Sequence, residues 1–204
     1  MSHPLPFIKE LEDVPKVENL SDVLKVNAFV YSLIYAARDP YNPYTHKDSV
    51  ESLYRRLLTE EIGGWCGLNA FFLEKLMNAY GVECRTLNYG DLEKANGNKF
   101  HVVCIVKFEK KEYLIDPYIN KYYCNTDMSP MTFDLLMKNI EDRQMQNIVP
   151  VYGKGYKRIF SYDEWVSIDP KSFDERLTLH AKNLAGEILK KKYGSDNTYL
   201  LMLS

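Results

Sequence analysis

Apolar positions recur at helical spacing over residues 1–80, at strand spacing over about 81–124, and at helical spacing again over 125–204. In the first stretch Leu24, Ala28, Val30, Tyr31 and Ile34 make a broad apolar face, and Ser21 can cap a helix running to about Ala37. Asp39-Pro40 ends it, and Asn42-Pro43 extends the break. Thr45-x-x-Asp48 then predicts a second helix with Val50, Leu53, Leu57 and Leu58 as its buried stripe. A third helix is expected from about Cys66, with Ala70, Leu73, Leu76, Met77 and Tyr80 on one side. Gly81 stands where a left-handed C-terminal cap belongs.

The period then shortens. Val82–Tyr89 reads as a strand, and His101–Phe108 as a central one, because Val102-Val103-Cys104-Ile105-Val106 is apolar on both faces. Glu112–Asp116 is its expected partner across a short charged turn around Glu109–Lys111. Beyond the strands, Ser129-Pro130 predicts a helix over Met131–Ile140. Ser161-x-x-Glu164 and Ser172-x-x-Glu175 are capping boxes, the second opening a last helix from Phe173 to about Lys192. The order predicts an α+β fold in one domain over 1–204, with the third helix packed on an antiparallel sheet and further helices at the C-terminus.

Composition narrows the functional classes. With 26 Lys and Arg against 28 Asp and Glu, the formal charge of −2 argues against a nucleic-acid surface. No apolar run approaches the ~20 residues a membrane helix needs, and Met1–Pro15 lacks an apolar signal core, so a cytoplasmic protein is expected. None of the four cysteines has a partner at zinc-ligand spacing, and neither a metal nor disulfides are expected. Cys84 and Cys104 read as core, Cys124 as part of a polar, exposed turn, and His3 as part of a loose terminus.

One stretch carries chemistry. In Gly63-Gly64-Trp65-Cys66-Gly67-Leu68-Asn69 two glycines allow a tight turn just before a helix, so Cys66 falls at a helix start. Free N–H groups and the helix dipole there favour a thiolate and can hold the oxyanion of a tetrahedral intermediate. His101 opens the central strand 35 residues later, and Asp116 closes the partner strand after another 15. An even-numbered turn sets those two on the same face of the hairpin, as diagonal neighbours at most. Nucleophile, base and orienting carboxylate are thus Cys66, His101 and Asp116. Gly64, Trp65, Tyr89 and Tyr118 are candidates for substrate or oxyanion contacts.

At these residues the chain resembles the transglutaminase-like superfamily, the papain-related group with Cys at a helix start and His and Asp on adjacent strands. Gly81–Tyr89, the His-led strand and Leu114-Ile115-Asp116-Pro117 carry that resemblance. Gly63-Gly64-Trp65-Cys66 with Asn69 is similar to the Arg-Gly-Gly-x-Cys motif of arylamine N-acetyltransferases, with Ile62 in place of the Arg. The resemblance implies a papain-like fold and acyl transfer through a thioester, with no bound cofactor. The donor is an amide or a thioester, which includes acyl-CoA or a carrier-bound acyl group. The acceptor is an amine or water. A different class fits the same cleft, a catalytically inert member that binds a peptide or partner protein.

Overall fold

The computed structural model describes residues 3–34, 47–59, 61–62, 64, 66–90, 100–142 and 144–153, with the backbone alone at 88–90, 100, 101, 145 and 152. The Ser161 and Ser172 capping boxes and the last predicted helix lie outside them.

Among the described residues three α-helices precede the sheet: α1 (Leu20–Leu33), α2 (Val50–Leu58) and α3 (Cys66–Ala79). Their positions follow from caps different from those expected. Asn19, not Ser21, accepts the Asp22 N–H at 3.1 Å and starts α1 two residues early. Ser49, the residue just past the expected Thr45-x-x-Asp48 box, accepts the Ser52 N–H at 3.1 Å and starts α2. Leu53, Tyr54 and Leu57 are the buried side of α2, whereas Leu58 is 43% exposed and leaves the expected stripe. The end of α3 follows the sequence: Gly81 has φ +76° and Val82 N–H returns to Met77 O at 2.9 Å, closing the left-handed cap.

Five strands form one antiparallel meander in the order β1 (Cys84–Gly90), β2 (Phe100–Phe108), β3 (Lys111–Asp116), β4 (Lys121–Cys124), β5 (Val149–Tyr152). The β2–β3 hairpin turns on Glu109 and Lys110, both with positive φ (48° and 64°), as a two-residue turn matched to strand twist demands. Strand β5 lies inside the C-terminal stretch expected to hold helices joined by irregular segments. Its four residues include Pro150, which sits on an outer strand of the sheet where a missing ladder N–H is tolerated.

Alternation along β2 and β3 splits the core. Cys104, Val106 and Ile115 join the larger cluster with α1, α2 and α3. Val103, Ile105, Leu114 and Tyr123 join the smaller one with Leu136, Met137 and Ile140 of α4 (Phe133–Glu141). Thr132 caps α4, because Pro130 is held in a bridge to Cys124 and cannot open the helix. Cys124 is therefore 1% exposed and part of the sheet, contrary to the expected open turn. The N-terminal segment is also docked: Leu5, Ile8, Leu11 and Val14 are buried, and His3 hydrogen-bonds Leu11 O at 2.9 Å.

Two tyrosines make the packing sensitive to alkali. Burial, followed by the Glu10 carboxylate that accepts the Tyr54 O–H at 2.8 Å, pushes Tyr54 up to about 12. Burial, with Asp13 nearby, pushes Tyr80 up to about 12. The folded state thus keeps protons that the unfolded chain loses from pH 10.0 upward, so stability falls as pH rises from there to about 12. Melting temperatures across that window are expected to drop by several degrees, and the drop should flatten in a Tyr54→Phe/Tyr80→Phe protein. Parallel slopes for the two proteins would contradict this origin.

Candidate active site

One end of the sheet gathers the predicted residues because of how α3 and the meander run. Cys104 Sγ donates to Ala70 O at 3.2 Å, which pins α3 to β2. From that contact α3 continues back about 6 Å to Cys66 at 1.5 Å per residue. Strand β2 continues back about 10 Å to His101 at 3.3 Å per residue. Since α3 feeds β1 through Gly81, both runs lead to the same end, where β3 stops at Asp116 and β4 starts at Lys121.

Cys66 is the first residue of α3, and no acidic residue occupies that first turn. Among the four free cysteines it alone is partly exposed, while Cys84, Cys104 and Cys124 are buried. Burial, with Cys84 adding to it, pushes the Cys104 thiol well up, and burial raises Cys124, so both are held as thiols. Gly64 lets the approaching chain pass over this helix start. A Cβ there would lie 3.0 Å from Leu68 Cβ, tighter than a side chain readily accepts.

Asp116 is 2% exposed, and its Oδ1 accepts the Tyr118 backbone N–H at 3.1 Å. Continuing the Cys104–Ile115 pairing puts Val103 in register with Asp116 and His101 two pairs beyond. Only the backbone of His101 is described, and Tyr89 is its partner on β1. Trp65 lies outside the described residues.

Tyr118 is where helix and strand meet. Its phenol is held well above the ordinary tyrosine value, first by burial and then by the nearby Cys66, Asp116 and Tyr31. Sulfur, carboxylate and two phenols therefore share one electrostatic neighbourhood, with Tyr118 a neutral O–H donor within it.

The turn carrying Tyr118 is held from two sides. Asn27 of α1 donates to Asn120 Oδ1 at 2.7 Å, and Gly153 N–H donates to Asn120 O at 2.7 Å. A Cβ on Gly153 would fall 2.3 Å from Asn120 Nδ2. Gly153→Ala is expected to cost about 1–3 kcal/mol, because it must displace this amide from Asn27. A denaturant midpoint equal to that of the parent protein would contradict the contact.

Sequence reasoning did not single out Lys121, which is 1% exposed and paired with Asp116 in the β3–β4 ladder. The signal was present, since four turn residues, Pro117–Asn120, set the two in register. Among the described residues no cluster of three His, Cys, Asp or Glu could hold a metal, and no helix is long and apolar enough to cross a membrane.

No protein-family model matches this sequence, and no curated protein does. Among solved structures, the chain is similar to arylamine N-acetyltransferase C from Bacillus anthracis (TM-score 0.43, 20% identity, 66% of this chain and 54% of that one). It is also similar to a protein from Cytophaga hutchinsonii proposed to be a cysteine protease (TM-score 0.39, 18% identity, 53% of this chain and 35% of that one). The matches thus span about half and about a third of those proteins' lengths, and the likeness is a coarse one of α+β fold.

Proposed function

We propose that this chain is a cysteine-nucleophile acyl-transfer enzyme of papain-like, transglutaminase-like architecture. The observation that carries the reading is the placement of Cys66 at the start of α3 and Asp116 at the end of β3, at one end of the sheet, with the Tyr118 phenol raised by burial first and then by both of them. The backbone register, with His101 two pairs beyond Asp116 and so its diagonal neighbour, supports assigning the base to His101.

In this mechanism His101 takes the Cys66 proton, and the sulfur attacks an amide or thioester carbonyl. Backbone N–H groups of the α3 start, including that of Cys66, hold the oxyanion, an effect of about 3 kcal/mol per donor. His101 then gives its proton to the leaving amine or thiol, leaving the acyl group on Cys66 as a thioester. An amine or water attacks that thioester, passing its own proton to His101 as the Cys66–acyl bond breaks. Asp116 keeps the imidazole in the required tautomer and stabilises its charged form.

The test is to incubate the protein with an amide donor, an acyl-CoA and a carrier-bound acyl thioester, then measure intact mass and map the adduct. A single acyl group on Cys66 is expected with at least one donor. No adduct with any of them would favour an inert member that binds a peptide or partner.

A further inference from the structure

Asn27 stands on α1 among the buried residues Val23, Val26, Val30 and Leu33, and is itself fully buried. Asparagine is mostly an exposed residue. Here its Nδ2 donates to Asn120 Oδ1 at 2.7 Å, joining two buried amides that lie 93 residues apart in the chain. Its Oδ1 finds no hydrogen-bond partner among the described residues. Replacing two such partners by apolar groups of the same shape is close to neutral for stability. Core energetics alone therefore do not account for an amide at this place, whereas what the amide holds does. Asn120 ends the turn between β3 and β4, with a left-handed φ of +51° that asparagine tolerates. Gly153, just past β5, donates its N–H to Asn120 O at 2.7 Å from the other side. Two residues before Asn120 in the same turn, the Tyr118 N–H donates to Asp116 Oδ1 at 3.1 Å. The direction of that carboxylate thus depends on where the turn stands. One helical turn on from Asn27, Tyr31 also bears on the Tyr118 phenol, so α1 meets the turn at two points.

We propose that Asn27 is a positioning residue of the site, whose amide holds Asn120 and, through the 117–120 turn, sets the Asp116 carboxylate that orients His101. What Asp116 does for His101 rests on the acyl-transfer reading above. Asn27 touches none of the reacting groups. It acts by fixing the turn to α1, so that the Tyr118 N–H stays on Oδ1 and the carboxylate keeps one direction.

The test compares the full chain with Asn27→Ala and with Val23→Ala, a matched truncation of a buried residue one turn earlier on the same helix. Two quantities are read. The first is amide hydrogen exchange at Tyr118, measured against the β2 amides, which report global opening. The second is the pH profile of Cys66 alkylation by iodoacetamide. In Asn27→Ala the Tyr118 amide is expected to exchange at least about tenfold faster relative to β2. The alkylation midpoint should rise by at least about half a pH unit, because a displaced carboxylate no longer favours the imidazolium that keeps the thiol acidic. Val23→Ala should lower the denaturant midpoint and leave both quantities at the parent value, which separates positioning from a loss of stability. Unchanged relative exchange at Tyr118 in folded Asn27→Ala overturns the proposal. So does an unchanged midpoint where Cys66 of the parent is activated, or the same two changes in Val23→Ala. If Asn27→Ala does not fold, Gly153→Ala decides, since its Cβ would fall 2.3 Å from Asn120 Nδ2 and displace that amide from the β5 side. Faster relative exchange at Tyr118 there supports the proposal, and none overturns it. The exchange measurement needs neither substrate nor an active Cys66, so its failure leaves the acyl-transfer reading standing. A Cys66 that alkylates as slowly as the other cysteines would sink that reading with the exchange result intact.

Discussion

A Cys66→Ala protein is expected to keep its fold and lose acyl transfer completely, by at least ~1,000-fold. The residue is only half-buried and begins its helix rather than bracing it, so its removal should change stability by under about 1 kcal/mol. The side chains that fasten α3 are elsewhere: Phe72, Leu73, Leu76 and Met77 are all fully buried. The check is paired, with denaturant midpoint and acyl-adduct mass measured on the same preparation. Residual transfer in the variant would move the nucleophile to another residue. Burial makes Cys84, Cys104 and Cys124 poor replacements.

Asp116→Asn is expected to slow acylation of Cys66 by about 10³–10⁴-fold. The amide is nearly isosteric, so the bond from the Tyr118 N–H to Oδ1 can persist. What is lost is the negative charge that selects one imidazole tautomer and stabilises its protonated form. The variant should also be less stable, since position 116 is 2% exposed and the new amide must be accommodated among partners suited to a carboxylate. Single-turnover acylation at several pH values separates the two effects. A folded Asp116→Asn protein acylating at the parent rate would remove this residue from the mechanism.

How much of this was legible in the sequence varies by element. Helix α3 and the β2–β3 hairpin were readable because several signals agreed: an apolar period, a glycine cap and a charged two-residue turn. Helix starts were misplaced where several capping residues lie close together. Asn19 competes with Ser21, Ser49 with Thr45, and Thr132 with Ser129, and only the packing of the apolar face selects among them. Strands β4 and β5 were missed because four residues give too short a period, and because Lys121 and Pro150 each argue against a buried strand.

The site shows the same division. Cys66 and Asp116 stood out because their positions at element ends carry chemical meaning without tertiary information. Tyr118 was legible only as a candidate contact residue, and it is the turn between β3 and β4 that brings it near both Cys66 and Asp116. Lys121 reads as a solvent-facing charge in a polar run, and only the fold shows it to be 1% exposed.

The most direct measurement of the central claim is the rate of iodoacetamide alkylation at each cysteine of the native protein at mildly acidic pH. A helix-start thiol paired with an imidazole should react at Cys66 at least about ten times faster than at Cys84, Cys104 or Cys124. That preference should vanish on unfolding. Slow labelling, with Cys66 no faster than the other three, would contradict an activated nucleophile at the start of α3.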